Sequence, residues 1–377
     1  MSAKERASRS GEVPYYGAAG QVGWIDKPLF DEPLLLLGED GVQFFDPAKS
    51  KAYVIDGPAW VNNHAHVLRA RHDLVERRFL MYYLNWTGYH GFANGTTRLK
   101  LTKSAMTSMP IPLPSLIEQR RIVEILEDHL SRLDAASEAI RAAAIRLDRW
   151  ELTALSEATH GGKGPGVRLD EVAEVRLGRQ RSPANHTGDR MRPYLRAGNV
   201  HWNRFRLDEV KEMNFTSAEE ESYRLVPGDI LVVEASGSAA EVGKSAEYQG
   251  APANVCFQNT LLRVRCHSAN PAYVQKYLLA EALSGRLIEE SRGVGIHHIG
   301  KAKLAALRIE IPATAEQSRR VNRAESVLES GLRLRSAIDA AHARSVAVRR
   351  SLLAAAFAGR LEGRTGNAEL LKELASV

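Results

Sequence analysis

"PSLIEQRRIV" occupies residues 114–123 and "PATAEQSRRV" occupies residues 312–321. Both read Pro-x-x-x-Glu-Gln followed by basic and apolar positions, and they stand about half a chain apart. After the first, no proline or glycine occurs until Gly161. Val123, Leu126, Leu130, Leu133, Ile140, Ala144 and Leu147 alternate three- and four-residue steps, with Ser137 in one slot. That is a heptad seam, an apolar stripe aimed at a partner helix. Ser115 and Glu118 have capping-box spacing. In the second copy, Thr314 is the candidate cap and the seam is weaker: Val321, Ala324, Leu328, Ile338, Ala341, Val348, Leu352 and Ala355, with Gly331 expected to interrupt it. "HGGKGPG" (160–166) and "FAGRLEG" (357–363) supply stops. Each helix would be a rod of roughly 65 Å. A long helix with an uncovered stripe is unstable alone in water, so the two rods are expected to pack on each other. Packing of each on its own globular neighbour is the alternative.

The segments before the rods read as mixed α+β and repeat one order of elements. "EPLLLLGEDG" (32–41) matches the strand in "GDILVVEASGS" (228–238). "HAHVLRAR" (64–71) matches "QNTLLRVR", and "VERRFLMYYLNWTGYHG" (75–91) matches the amphipathic helix expected over 271–291. The loops do not match, so two units share a frame and present different surfaces. The boundaries implied are 1–113, 114–162, 163–311 and 312–377, the last ending in a short amphipathic helix, "NAELLKELASV".

Composition narrows the class. The chain has 377 residues, 44% hydrophobic and 25% charged, with a formal charge of +6. A moderate basic excess permits nucleic-acid binding without requiring it. No apolar run approaches the roughly 18 residues of a membrane span, and the first residues lack a secretory apolar core; a cytoplasmic location is expected. Cys256 and Cys266 alone build no disulfide framework and no zinc site. "SAAEVGKS" (238–245) fails the phosphate-loop pattern at its first position. His297 and His298, adjacent on a strand, would point to opposite faces and make a poor metal pair. His64 and His66 share a face but have no third ligand nearby. No nucleophile or acid–base constellation is evident.

The paired motifs, with "YLRAGNV" (194–200) and "AAAFAGRL" (354–361), resemble the specificity subunit of Type I restriction-modification enzymes. The resemblance spans nearly the whole chain. It implies an α+β fold in which two globular target recognition domains are separated by two long helices forming an antiparallel coiled coil, in a pseudo-two-fold arrangement. It also implies a non-catalytic chain that reads a bipartite double-stranded DNA target. Two methyltransferase subunits and two motor-nuclease subunits would join it, and S-adenosylmethionine, ATP and Mg would belong to those partners, with no cofactor or metal on this chain. A coiled-coil adaptor whose globular units bind proteins is the alternative. The chain departs from the family at the first unit, where the counterpart of "LDEVAEVRLG" (169–178) is absent.

Rods of this length would set the two units one to two turns of duplex apart, each in a major groove where all four base pairs are distinguishable. In the second unit, "LGRQRSPANHTGDRMRPYLRAGNVHWNRF" (177–205) is dense in Arg, Asn and His. Arg179, Arg181, Arg192, Arg196, Asn199 and His201 are the candidate DNA contacts there, with His297 and His298 from "SRGVGIHHIG" (291–300). Tyr15, Tyr16, Gln21, Asn62, Asn63, His64, Arg98 and Lys100 are the comparable set in the first unit. Glu118, Gln119, Arg120, Arg121, Glu316, Gln317, Arg319 and Arg320, on near-repeated helix faces, are the candidate partner contacts.

Overall fold

The computed structural model describes residues 5–6, 8–46, 49–95, 97–161, 166–236, 238, 241–287 and 297–361. The expected helix over 367–377 and most of 291–300 lie outside them. The chain forms two compact units, residues 1–142 with 338–377, and residues 143–337. The four segments drawn from the sequence regroup this way because each long helix gives one part of its length to each unit.

The first unit runs β1 (Val13–Gly17), β2 (Gly20–Ile25), β3 (Phe30–Asp31), β4 (Leu34–Gly38), β5 (Ala52–Ile55), β6 (Pro58–Val61), β7 (Ala65–Leu68), α1 (Arg77–Trp86), β8 (Ala93–Asn94), β9 (Lys100–Leu101) and α2 (Lys103–Thr107), then enters α3 (Leu116–Thr159). Its sheets are β2-β1-β6-β3, β5-β4-β7 and β8-β9. Every residue of β4 is buried, as expected for a strand covered on both faces. Strand alternation divides the load. Leu35 and Leu37 pack with Leu80, Tyr83 and Leu84 of α1, while Leu34 and Leu36 pack with Ile55, Ala59 and Val61.

The second unit continues with β10 (Val167–Arg168), β11 (Ala173–Leu177), β12 (Met191–Leu195), β13 (Val200–His201), β14 (Arg204–Phe205), β15 (Lys211–Asn214), α4 (Ser217–Tyr223), β16 (Ile230–Val233), β17 (Ala235–Ser236), β18 (Ser245–Glu247), β19 (Cys256–Phe257), β20 (Leu261–Cys266), α5 (Pro271–Leu283), β21 (His297–His298), α6 (Lys301–Ala306) and β22 (Arg308–Ile309), then enters α7 (Thr314–Phe357). Its larger sheets are β11-β20-β16-β18 and β15-β12-β19. The same alternation recurs: Ile230 and Val232 join Tyr273, Tyr277 and Leu278, while Leu231 and Val233 face Val255 and Phe257. The helix expected to be amphipathic differs: α5 is buried from Tyr273 through Ala282. It has the sheet on one side, and on the other Leu155 and Ala158 of α3 with Ala324 of α7.

The two units share a register as well as an order. Glu39 N–H donates to His64 O at 2.8 Å in the first, and Glu234 N–H to Thr260 O at 2.9 Å in the second. Thus β4 corresponds to β16 and β7 to β20. They differ at one edge: β20 lies between β16 and β11, whereas β7 ends its sheet among the described residues.

α3 and α7 pack against each other, antiparallel within each unit. In the first, Ile122, Val123, Leu126 and Leu130 meet Leu352, Leu353, Ala355 and Ala356, and the polar slot is filled by Ser137 Oγ, 3.3 Å from Ser345 Oγ. In the second, Arg335 bonds Asp148 at 2.8 Å and also Glu151. Arginines near each helix start hold the far end of the other helix: Arg121 donates to Leu361 O at 3.2 Å, and Arg320 donates to Thr159 O at 2.9 Å.

Two expectations about the rods are corrected and one is explained. Gly331 takes a buried place in the seam of an unbroken α7, where a Cβ would sit 2.0 Å from Glu151 Oε1. The glycine makes room for that carboxylate. The capping box is half formed: Glu118 N–H donates to Ser115 Oγ at 3.3 Å, but the Glu118 carboxylate is held by Arg121 at 3.1 Å. Thr314 is the first residue of α7, not its cap; the first-turn N–H groups of Glu316 and Gln317 donate to Ala313 O at 2.8 and 3.0 Å, and the Gln317 side chain donates to Pro312 O at 2.8 Å.

An ion cluster around one buried carboxylate sits where α3 ends. His160 Nε2 lies 2.7 Å from Glu281 Oε1, and Arg286 grips the same carboxylate. Burial pushes Glu281 up, but the bonds from His160 and Arg286 outweigh it and bring the pKa from 4.5 to about 2. The folded value is the lower one, so this stabilisation is present above pH 4.5 and disappears as pH falls toward 2. A difference of that size corresponds to on the order of 3 kcal/mol at neutral pH. Glu281→Gln is expected to lower stability at pH 7 and to flatten its pH dependence below pH 4.5, read by urea unfolding across that range.

Candidate nucleic-acid interface

In the first unit the β1–β2 hairpin and the turn after β6 bring most of the candidate side chains into one patch. Gln21 pairs with Tyr16 across the hairpin, and Asn62 N–H donates to Tyr16 O at 3.0 Å. Asn62 Oδ1 accepts from His64 N–H at 2.9 Å, which fixes the turn that exposes Asn63. His64 Nδ1 lies 2.8 Å from Asp40, Arg98 reaches the same carboxylate at 2.7 Å, and Lys100 reaches Glu39 at 2.7 Å. Arg98 and Lys100 keep 61% and 52% of their side-chain surface open, so they can turn from these acids to a phosphate. Glu39 raises the Lys100 pKa through a side-chain hydrogen bond and charge, keeping that cation charged. Tyr15 is corrected: it is 2% exposed and belongs to the core; Tyr16, beyond a register shift in the hairpin, is partly buried against the Leu34 and Leu36 cluster.

In the second unit, residues 177–205 are not a single loop but carry β12, β13 and β14. Strand and turn geometry takes several candidates inward. Asn199 is buried; Oδ1 accepts from Arg196 N–H, and Nδ2 donates to Arg206 O and Glu209 O. Its role as a DNA contact is therefore corrected to that of a turn residue. Arg179 is also drawn in, bonded to Glu219 at 3.0 Å and lying over Phe215. Arg192 pairs with Glu220 at 3.0 Å, and Arg196 with Glu209 at 2.8 Å, both partly open. Bonds from Arg192 and Arg190 hold the Glu220 carboxyl below its usual range. Arg181 is exposed and makes no ion pair among the described residues. His201 is half-buried, its pKa lowered by burial and then by Lys244, Arg206 and Arg204. His298 is exposed, 3.3 Å from Glu234; the side chain of His297 lies outside the described residues.

The sequence reading missed the acids that hold these cations: Glu39 and Asp40 in one unit, Glu209, Glu219 and Glu220 in the other. The Thr216–Glu219 capping box of α4 was the local signal for the last pair.

The Glu-Gln motif has a different place from the one expected. Gln119 is 0% and Gln317 3% exposed. Gln119 Oε1 accepts from Glu76 N–H at 2.8 Å, while Nε2 donates to Leu74 O and Pro114 O. Gln317 Oε1 accepts from Asn270 N–H at 2.8 Å. Glu76 and Asn270 are the N-caps of α1 and α5. Each glutamine thus ties the start of a long helix to the start of a domain helix, which withdraws both from any partner-facing surface. Arg320 is withdrawn likewise by Thr159, Glu310 and Glu316. Arg120 and Arg319 are exposed, and Glu118, Arg121 and Glu316 are partly so.

A family model, Type I restriction modification DNA specificity domain, matches residues 1–143 and 166–335. The chain belongs to that family. A type I restriction enzyme specificity subunit of Haemophilus influenzae is 36% identical over 121 residues, 31% of this chain and 30% of that protein. The EcoKI specificity subunit of Escherichia coli is 24% identical over 284 residues, 69% of this chain and 60% of that protein. The chain thus matches less than two thirds of the length of either relative. Among solved structures, a chain from work on complex assembly and conformational transition of the type I R-M system superposes with a TM-score of 0.71 at 20% identity, covering 94% of this chain and 93% of the other. The HsdS subunit from Thermoanaerobacter tengcongensis gives 0.54 at 18% identity, with the same coverage. These likenesses support the fold. No helix among the described residues is long and apolar enough to cross a membrane.

Proposed function

We propose that this chain reads a bipartite DNA target, each unit contacting one part, and recruits the methyltransferase and motor-nuclease subunits of a Type I complex. S-adenosylmethionine, ATP and Mg would act on those partners, and this chain would carry no chemistry of its own. One observation carries the reading: a duplicated frame with the same strand register, helix and glutamine tie in each unit presents two unlike polar surfaces. Shared scaffolding with different loops suits two unlike half-sites. Arg98, Lys100, His64, Gln21 and Asn63 form the first contact set, and Arg181, Arg192, Arg196, His201 and His298 the second. Donors of this mixture match phosphates and base edges. Arg120 and Arg319, on the near-repeated starts of the long helices, suit two copies of one partner.

The test is footprinting and gel shift on a target identified by modification mapping. Two protected blocks separated by an unprotected gap are expected, with affinity falling steeply as salt rises. Arg98→Ala with Lys100→Ala should weaken binding about 10-fold or more and flatten the salt slope by about two. A single continuous footprint, or binding indifferent to salt and sequence, would leave the protein-adaptor reading instead.

A further inference from the structure

A cavity of about 690 Å³ lies within the second unit, between α3, α5, α7 and the β13–β14 hairpin. That volume is in the range of small-molecule sites. Its floor is made by Leu152 of α3, Leu279 and Leu283 of α5, and Leu328 and Leu332 of α7, with Trp202 of the hairpin as a wall. The wall is held in place. Asn203 N–H donates to Ser245 O at 3.0 Å, Lys276 donates to Asn203 Oδ1 at 2.9 Å, and Lys244 lies over the Trp202 ring. Arg149 of α3 and Arg204 of β14 also line the cavity. Both are exposed, and neither guanidinium is in an ion pair among the described residues. The acids beside them are already occupied, since Arg335 binds both Asp148 and Glu151. An apolar floor thus lies under a rim of net positive charge.

The first unit has no counterpart of this cavity. α3 and α7 are both 44 residues long, so their positions match one to one: Leu332 stands where α3 has Asp134, and Leu152 where α7 has Arg350. β1 and β12 correspond through their parallel partners β6 and β19. Two residues join β1 to β2, whereas β13 and β14 lie between β12 and β15. A surface that meets two copies of one partner is present in both units, so a cavity in one unit alone calls for a ligand bound once. The leucine floor offers no hydrogen-bonding group, which suits an alkyl chain and penalises a ring with polar heteroatoms. We propose that this cavity binds a free medium-chain carboxylate, with its alkyl chain on the leucine floor and its carboxylate at Arg149 and Arg204. The site uses neither DNA nor a partner subunit and does not rest on the function proposed above.

The probe is dodecanoate, added to the full chain below its micelle-forming concentration and followed by isothermal titration calorimetry and urea unfolding. One equivalent should bind saturably and raise the unfolding midpoint. Leu332→Asp, which gives α7 the residue that α3 has at that place, should weaken binding about tenfold or more. Arg149→Glu with Arg204→Glu should do the same by reversing the charge of the rim. All three positions are exposed, and the midpoint without ligand checks that the variants keep the fold. Dodecyltrimethylammonium, the same chain length with a cationic head, should bind the unvaried protein at least about tenfold more weakly, a comparison that needs no variant. Absence of saturable binding, uptake of more than one equivalent, equal affinity for the two amphiphiles, or variants that bind as the unvaried chain does would each overturn the proposal. So would capture by phosphatidylglycerol vesicles without uptake of dodecanoate, which would make the rim a membrane-facing surface instead.

Discussion

Gln119→Leu is expected to destabilise the protein by about 3–5 kcal/mol, because it leaves one N–H and two carbonyl groups unpaired in a buried setting. The side chain is fully buried and makes three hydrogen bonds, to Glu76 N–H, Leu74 O and Pro114 O. Leucine fills a similar volume and supplies none of them. Gln317→Leu removes two such bonds and should cost about 2–4 kcal/mol by the same reasoning. Urea unfolding reads both. Arg120→Ala, at an exposed position on the same helix turn, should change stability by less than about 0.5 kcal/mol. The contrast separates two roles for the repeated motif. If Gln119→Leu left the unfolding midpoint unchanged and weakened only partner assembly, the tie to α1 would not be what the glutamine does.

Leu126→Ala should cost about 3–5 kcal/mol, at the upper end of the range for deleting a buried leucine. Leu126 is 0% exposed and sits in a cluster with Ile122, Leu130, Leu352, Leu353 and Ala356. The neighbours are carried on two stiff helices, which limits collapse around the cavity. Ile145 on the same helix is exposed, and Ile145→Ala should be nearly neutral. Thermal or urea unfolding distinguishes the two. Near-equal effects would mean that the seam does not bear on stability in this unit.

Much of this fold is written as periodicity. The seam positions of α3 from Val123 to Leu147 are all buried or partly buried, because a three-four spacing has one geometric meaning over many turns. The strand, strand, helix order that the two units share was legible too, since four consecutive leucines at 34–37 or "ILVV" at 230–233 suit a strand covered on both faces; most of the other strands were not. The binding surface was less so. Composition picked out cationic and amide side chains but not their directions: Tyr15 is lost to the core, while Asn199 spends its amide on its own turn. Nor could it pair Arg98 with Asp40, or Arg192 with Glu220, across long stretches of chain.

The sequence by itself determined that there are two rods, two units and one repeated frame, because these rest on local spacing that any fold must respect. Only the tertiary structure decided that the Glu-Gln motif ties each rod to its domain and that Gly331 makes room for Glu151. Those depend on which groups meet across the chain. A buried amide or a seam glycine is defined by what lies opposite it, and that is information no linear spacing carries.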